Sequence, residues 1–183
     1  MRGITVFAAL FTASLTASGA QAGMSDDLKA AYLVNLVKFV EWPTASLSDT
    51  LNICFLKPST VKDRLEDGIA RKQRWAQVEG RHLAVHLLDA PAASVGCQIL
   101  YLDARTADAL WNTFPVPDAL LTISDQRDFA HHGGIIQFQM DRDNIRLAIN
   151  TTKLGRSGLV ISAALGSLVD RIESERTRSL GRW

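Results

Sequence analysis

The sequence predicts a single α/β domain: a mostly parallel sheet flanked by helices, closed by a C-terminal antiparallel hairpin. Three observations carry that expectation. Short apolar runs alternate with helix-period segments through the first two thirds of the chain, the pattern of parallel strands joined by crossover helices. No internal repeat, low-complexity stretch or Pro/Gly-rich linker divides the sequence. Finally, two apolar runs near the end flank a polar Asp141-Arg142-Asp143-Asn144 turn, the signature of a hairpin.

The first 22 residues read differently from the rest. Arg2 gives a short positive region, Ile4 to Leu15 a mostly apolar stretch, and Ala20-Gln21-Ala22 the small-x-small pattern of a signal-peptidase site. The expected division is a cleaved leader over 1–22 and one domain over 23–183. The apolar stretch is short and interrupted by Ser and Thr, which suits a leader better than a membrane span. Only Arg2 is lost among charged residues, so the formal charge falls from +1 to zero. Such a balance argues against a nucleic-acid partner.

In order along the mature part, residues 26–41 read as a helix capped by Ser25 or Asp26 and closed by Trp42-Pro43. Only Asn35, Lys38 and Glu41 interrupt its apolar second half, on one narrow stripe, so the helix must be covered nearly all round. It is either core or partly covered by a partner, and Tyr32, Phe39 and Trp42 are the candidate anchors for a partner or a second copy. Leu51–Leu56 is a buried strand. Ser59 caps a helix carrying Val61, Leu65 and Ile69. His82–Leu88 and Cys97–Leu102 are the second and third strands. A helix over Thr106–Thr113 leads to a fourth strand, Leu120–Ser124. Ile135–Met140 and Ile145–Ile149 form the hairpin, a broken helical region covers Thr152–Ile172, and the charged tail from Glu173 frays.

Chemistry is sparse. His82 and His86, four apart on a strand, sit roughly 13 Å from each other, too far to share one ion. His131 and His132 are adjacent in a loop and point apart. Gly133-Gly134 is followed by a strand, so it reads as a turn and not a phosphate loop. No Gly-x-Ser-x-Gly elbow is present. No metal, cofactor or catalytic residue is assigned, and the chain is not expected to be an enzyme. In an oxidising compartment Cys54 and Cys97 are a candidate disulfide, requiring a Cα separation under roughly 7 Å. Asp125 and Arg146 remain as candidates for contact with a small ligand at the end of the sheet; structurally, Arg146 either faces solvent or pairs with a carboxylate such as Asp125.

Four segments in order resemble the YfiR family of periplasmic proteins. They are Ala30–Pro43, Gly96–Leu102, Leu121–Asp125 continuing through Phe129-Ala130 and Gly133–Ile136 to Phe138, and Asn144–Arg146 with Ile149-Asn150 on to Ser157–Ser162. The resemblance implies a periplasmic, commonly dimeric α/β domain without catalytic activity. It further implies inhibition of the periplasmic sensor region of an inner-membrane diguanylate cyclase, lowering cyclic di-GMP and biofilm formation. An outer-membrane lipoprotein is the implied antagonist. Cys54 and Cys97 match the family's cysteines in the first core strand and at the head of the third, while a second pair found in some members is missing. A periplasmic small-solute-binding protein is the alternative that the α/β pattern allows.

Overall fold

The computed structural model describes residues 18–71, 73–104, 116–141, 144–166 and 169–172. Helix α1 spans Ser18–Leu36 and passes through a short 3-10 turn, Val37–Phe39, into strand β1, Val40–Glu41. The expected helix over 26–41 is therefore displaced at both ends. Ser25 and Asp26 lie inside it, and it stops five residues early. The early stop has a local cause: Val37, Phe39 and Val40 disfavour further helical turns, and Trp42 precedes Pro43, which drives the chain into extended backbone.

Strand β2 is Thr50–Phe55, followed by α2, Thr60–Arg71. Ser59 caps α2 as its sequence promised: its Oγ accepts from the Lys62 amide at 3.3 Å. A short helix α3, Gln73–Ala76, leads to β3, Gln77–Val78, and then β4, Arg81–Leu87. Next come β5 (Ile99–Leu102), β6 (Leu121–Ser124), β7 (Ile136–Asp141) and β8 (Asn144–Asn150). Cys97 stands two residues before β5, not within it. The helix expected over Thr106–Thr113, residues 142–143 of the hairpin turn and the tail from Glu173 lie outside the described residues.

The region expected to be helical over Thr152–Ile172 is two short helices and two strands. These are α4 (Thr151–Ser157), β9 (Val160–Ile161), α5 (Ala163–Gly166) and β10 (Val169–Ile172). Gly158, at φ 74°, ends α4 in the left-handed conformation that favours glycine. The β-branched pair Val160-Ile161 then adds to β1, with Val40 opposite Ile161, and β10 runs parallel to β8 along its free edge. Tertiary pairing overrides the weak helical pattern here.

The large sheet has eight strands in the order β10-β8-β7-β6-β5-β2-β4-β3. Five of its seven neighbouring pairs are parallel; β7–β8 and β3–β4 are antiparallel hairpins. Because β4 lies on one side of β2 and β5 on the other, the strand order reverses between β2 and β5. In open sheets of this kind that reversal opens a crevice at the strands' carboxyl ends.

One face of the sheet holds the main core. Ile53, Phe55, Tyr101, Ile123, Phe138 and Leu147 pack there with Ala30, Leu33, Val34 and Leu36 of α1 and Val61 and Leu65 of α2. The expected stripe of Asn35, Lys38 and Glu41 is exposed. The opposite face carries a smaller cluster of Cys54, Leu56, Leu100, Leu102, Leu120 and Phe129. Polar side chains fasten the segment over that face: Gln137 Oε1 accepts from the Ala130 amide, Thr122 Oγ1 from the Ile135 amide, and Asn150 Nδ2 donates to the Ala130 carbonyl. A disulfide joins Cys54 to Cys97 at a Cα separation of 6.1 Å, within the range its sequence positions required.

Candidate functional site

The two ends of the sheet differ in character. At the end where β2 and β4 begin, a cleft of about 380 Å³ opens beneath the turn after α1. Val37, Val40, Trp42, Leu47 and Leu51 supply its apolar lining, while Lys38, Glu41, Glu79 and Arg81 bring two charges of each sign. A cleft of this size, apolar with a few charged groups, has the general form of a binding site.

Trp42 fixes this corner. It is buried, and its Nε1 donates to the Gln98 carbonyl at 3.3 Å. Gln98, itself buried, accepts the Asn52 amide on Oε1 at 2.7 Å and donates Nε2 to the Ser46 carbonyl at 2.7 Å. One glutamine thus ties the loop after Trp42 to β2 and to the start of β5. Of the two readings open for Trp42, core or partner contact, the structure shows a buried ring that also forms part of the cleft wall. Phe39 is half-buried against the main core. Tyr32 is half-buried too, meets Phe138 edge-on at a centroid distance of 6.0 Å, and donates its hydroxyl to the Ile145 carbonyl at 3.2 Å.

Opposite Trp42, the turn between β3 and β4 holds Glu79 at φ 51° and Gly80 at φ 76°. Two successive positive φ values are what a two-residue hairpin requires. Glycine adopts them freely, whereas a glutamate there costs roughly 1–2 kcal/mol.

At the other end, where the parallel strands finish, lies a polar network that the sequence reading did not anticipate. Lys29 reaches from α1 to Asp125, just past β6, at 2.6 Å, and to Asp26 at 3.2 Å. Asp125 also accepts from the Ala104 amide at 2.9 Å, and Asp26 accepts from the Thr60 hydroxyl. Burial by itself lowers the Lys29 pKa, but the hydrogen bonds and charges of Asp125 and then Asp26 outweigh it, leaving the pKa raised. Tyr101 lies beneath with its hydroxyl buried. That burial, with the carboxylates of Asp125, Asp103 and Asp26 nearby, pushes its pKa well above the ordinary range. Of the two structural alternatives for Arg146, facing solvent or pairing with a carboxylate such as Asp125, the structure shows exposure, and the ion pair of Asp125 is with Lys29. Arg146 is exposed on β8 opposite Gln139, on the sheet face turned away from α1. The signal that would have found Lys29 is the i,i+3 spacing of Asp26 and Lys29 just before an all-apolar helical run.

The remaining polar candidates stay apart. His86 bonds Asn52 Oδ1 at 2.9 Å, and His82 lies 3.4 Å from Gln77. Among the described residues no group of three or more His, Cys, Asp or Glu side chains is placed to hold a metal ion, and no helix is long and apolar enough to cross a membrane.

The described residues form a mostly parallel α/β domain with an eight-stranded sheet, a charged-rimmed apolar cleft at one end and the Lys29–Asp125–Asp26 network at the other. The chain belongs to the YfiR/HmsC-like family, whose model matches residues 26–169. That family consists of regulatory, non-catalytic periplasmic proteins and supports, at family level, a periplasmic regulator of diguanylate cyclase. Among solved structures it is similar to a conserved domain protein from Vibrio cholerae O1 biovar El Tor str. N16961, at 11% identity and a TM-score of 0.50. The match covers 81% of this chain and 60% of that one, and at this identity it bears on the fold alone. No curated protein matches the chain.

Proposed function

We propose that this protein is exported through a cleaved leader, residues 1–22, and that its mature domain over 23–183 acts in the periplasm as a homodimer. There it binds the periplasmic sensor region of an inner-membrane diguanylate cyclase and holds the enzyme inactive, lowering cyclic di-GMP and biofilm formation. An outer-membrane lipoprotein is the proposed antagonist that draws it away.

The family match over 26–169 is the observation that carries this reading. The cleft at the Trp42 corner supports it, because an apolar pocket ringed by opposite charges suits an apolar anchor from a partner protein, and such anchors dominate interface energies. Lys38 is exposed on the rim, clear of the core, so changing it tests contact without touching packing.

Deleting the gene is expected to raise cyclic di-GMP and surface attachment. Complementation with Lys38→Glu protein should leave both raised while the melting temperature stays at the wild-type value. If a clean deletion changes neither readout under conditions where the protein is expressed, the regulatory reading fails. Normal complementation by the rim variant moves the contact away from the cleft.

A further inference from the structure

Strand β4 spans Arg81–Leu87 and pairs along its inner side with β2 over six residues, from His82 opposite Thr50 to Leu87 opposite Phe55. On its outer side β3 pairs with it only at Arg81 and His82. Among the described residues, the stretch Leu83–Leu87 therefore has no strand beyond it.

Natural sheets protect such an edge with lysine, proline, a bulge or a covering element. Leu83-Ala84-Val85-His86-Leu87 contains no lysine, no proline and no acidic residue. Leu87 is 47% exposed at its end.

The backbone fixes how another strand would meet it. The amides of His82 and Leu88 donate to Asp49 and Phe55, at 2.9 and 2.8 Å. Even-numbered residues thus turn their backbone toward β2, and Leu83, Val85 and Leu87 turn theirs outward. These same three residues share one sheet face, with Leu83 buried and Val85 half-buried. Read in either direction about Val85, the segment gives the same order: leucine, small or polar residue, valine, small or polar residue, leucine.

We propose that this edge pairs with its own counterpart in a second copy of the chain, antiparallel about a twofold axis at Val85. Outward-facing residues then meet outward-facing residues, with Val85 opposite Val85 and Leu83 opposite Leu87 of the second copy, and the exposed leucine is covered by its neighbour's. The charges agree with this alignment. Arg81 stands before the segment and Asp89 just after it, so the antiparallel arrangement brings Arg81 of each copy toward Asp89 of the other. The bend at Asp89 and Ala90 takes each chain off the strand's line beside the second copy's β3. The proposal locates the homodimer named above and is independent of what the dimer regulates.

The test is sedimentation of the purified exported protein, without any partner, over a concentration series. The wild type is expected to dimerise. Leu87→Lys should raise the dimer dissociation constant by about tenfold or more, because two symmetry-related apolar pairs are lost together. Arg81→Asp and Asp89→Arg should each weaken the dimer, and the double reversal should restore it. Asp89 is fully on the surface, so its variant reports on pairing even if Leu87→Lys fails to fold. A wild type that stays monomeric, or a dimer indifferent to both Leu87→Lys and Asp89→Arg, overturns the proposal. Cyclase regulation is read in cells and is decided separately.

Discussion

Replacing Lys29 by methionine removes the charge that joins α1 to the carboxyl end of the sheet but keeps the aliphatic stem packed. The size of the effect follows from exposure. The Lys29 side chain is 10% exposed and Asp125 and Asp26 are each 18% exposed, so solvent screens the pairs only weakly. Breaking a fully buried pair costs about 3–5 kcal/mol, and an exposed one at most about 1. Asp125 keeps the Ala104 amide and Asp26 keeps the Thr60 hydroxyl, so both carboxylates retain a donor. The expected loss is about 2–3 kcal/mol, read as a lower urea midpoint at pH 7. A pH series adds a second check with a definite sign. Because the Lys29 pKa is raised in the folded state, its stabilisation is complete below the ordinary lysine value and disappears as pH rises through the folded one. The gap between wild type and variant should therefore stay constant from neutral pH to about 10 and narrow above it. Tyr101, also raised, loses stability over the same alkaline window in both proteins and largely cancels from the gap; Tyr101→Phe removes it outright. A variant within about 0.5 kcal/mol of wild type, the range of an ordinary surface change, would refute the claim that this network anchors α1.

The other expectations are more local. Unfolded but unreduced protein should show no reactive thiol, and reduction should cost about 4 kcal/mol by the chain-entropy estimate for cysteines 43 residues apart, measured by urea unfolding with and without reductant. Trp42→Ala should cost about 3–5 kcal/mol and lower the melting temperature sharply, as expected of a buried ring and unlike a surface contact. Glu79→Asn should stabilise the domain by about 0.5–1 kcal/mol, since asparagine tolerates the left-handed turn better; no gain in a thermal melt would mean that Glu79 has compensating contacts.

The sheet was legible because its strands are unusually plain. Leu51–Leu56, Cys97–Leu102 and Leu120–Ser124 are apolar runs that are buried on both faces, and burial on both faces is what a central parallel strand demands. The C-terminal third was harder to read. Val160-Ile161 and Val169–Ile172 are too short to show a period, and their strand state depends on β1 and β8, far away in sequence. Strand order was beyond reach for the same reason. Nothing local in Arg81–Leu87 says that it lies near the edge while Ile99–Leu102 lies inside, although its two exposed histidines are what an outer strand permits.

The corner after the first helix could be singled out from the sequence, but the packing around it could not. A stretch as apolar as Ala30–Val40 calls for cover on nearly every side, and α2 and the sheet bury most of it, leaving Tyr32 and Phe39 half-buried. What a partner meets at this corner is the hollow that the rings leave, and a hollow has no residue signature. Asp125 stands just past β6 at the carboxyl end of the sheet, and its counter-charge comes from α1: Lys29 reaches it from the helix's core-facing side. A lysine beginning an apolar helix can be stable there only if carboxylates await it, because an unpaired buried ammonium would lose its charge or its place. The pair Asp26 and Asp125 meets that requirement, so the polar end of α1 is tied to the carboxyl end of β6.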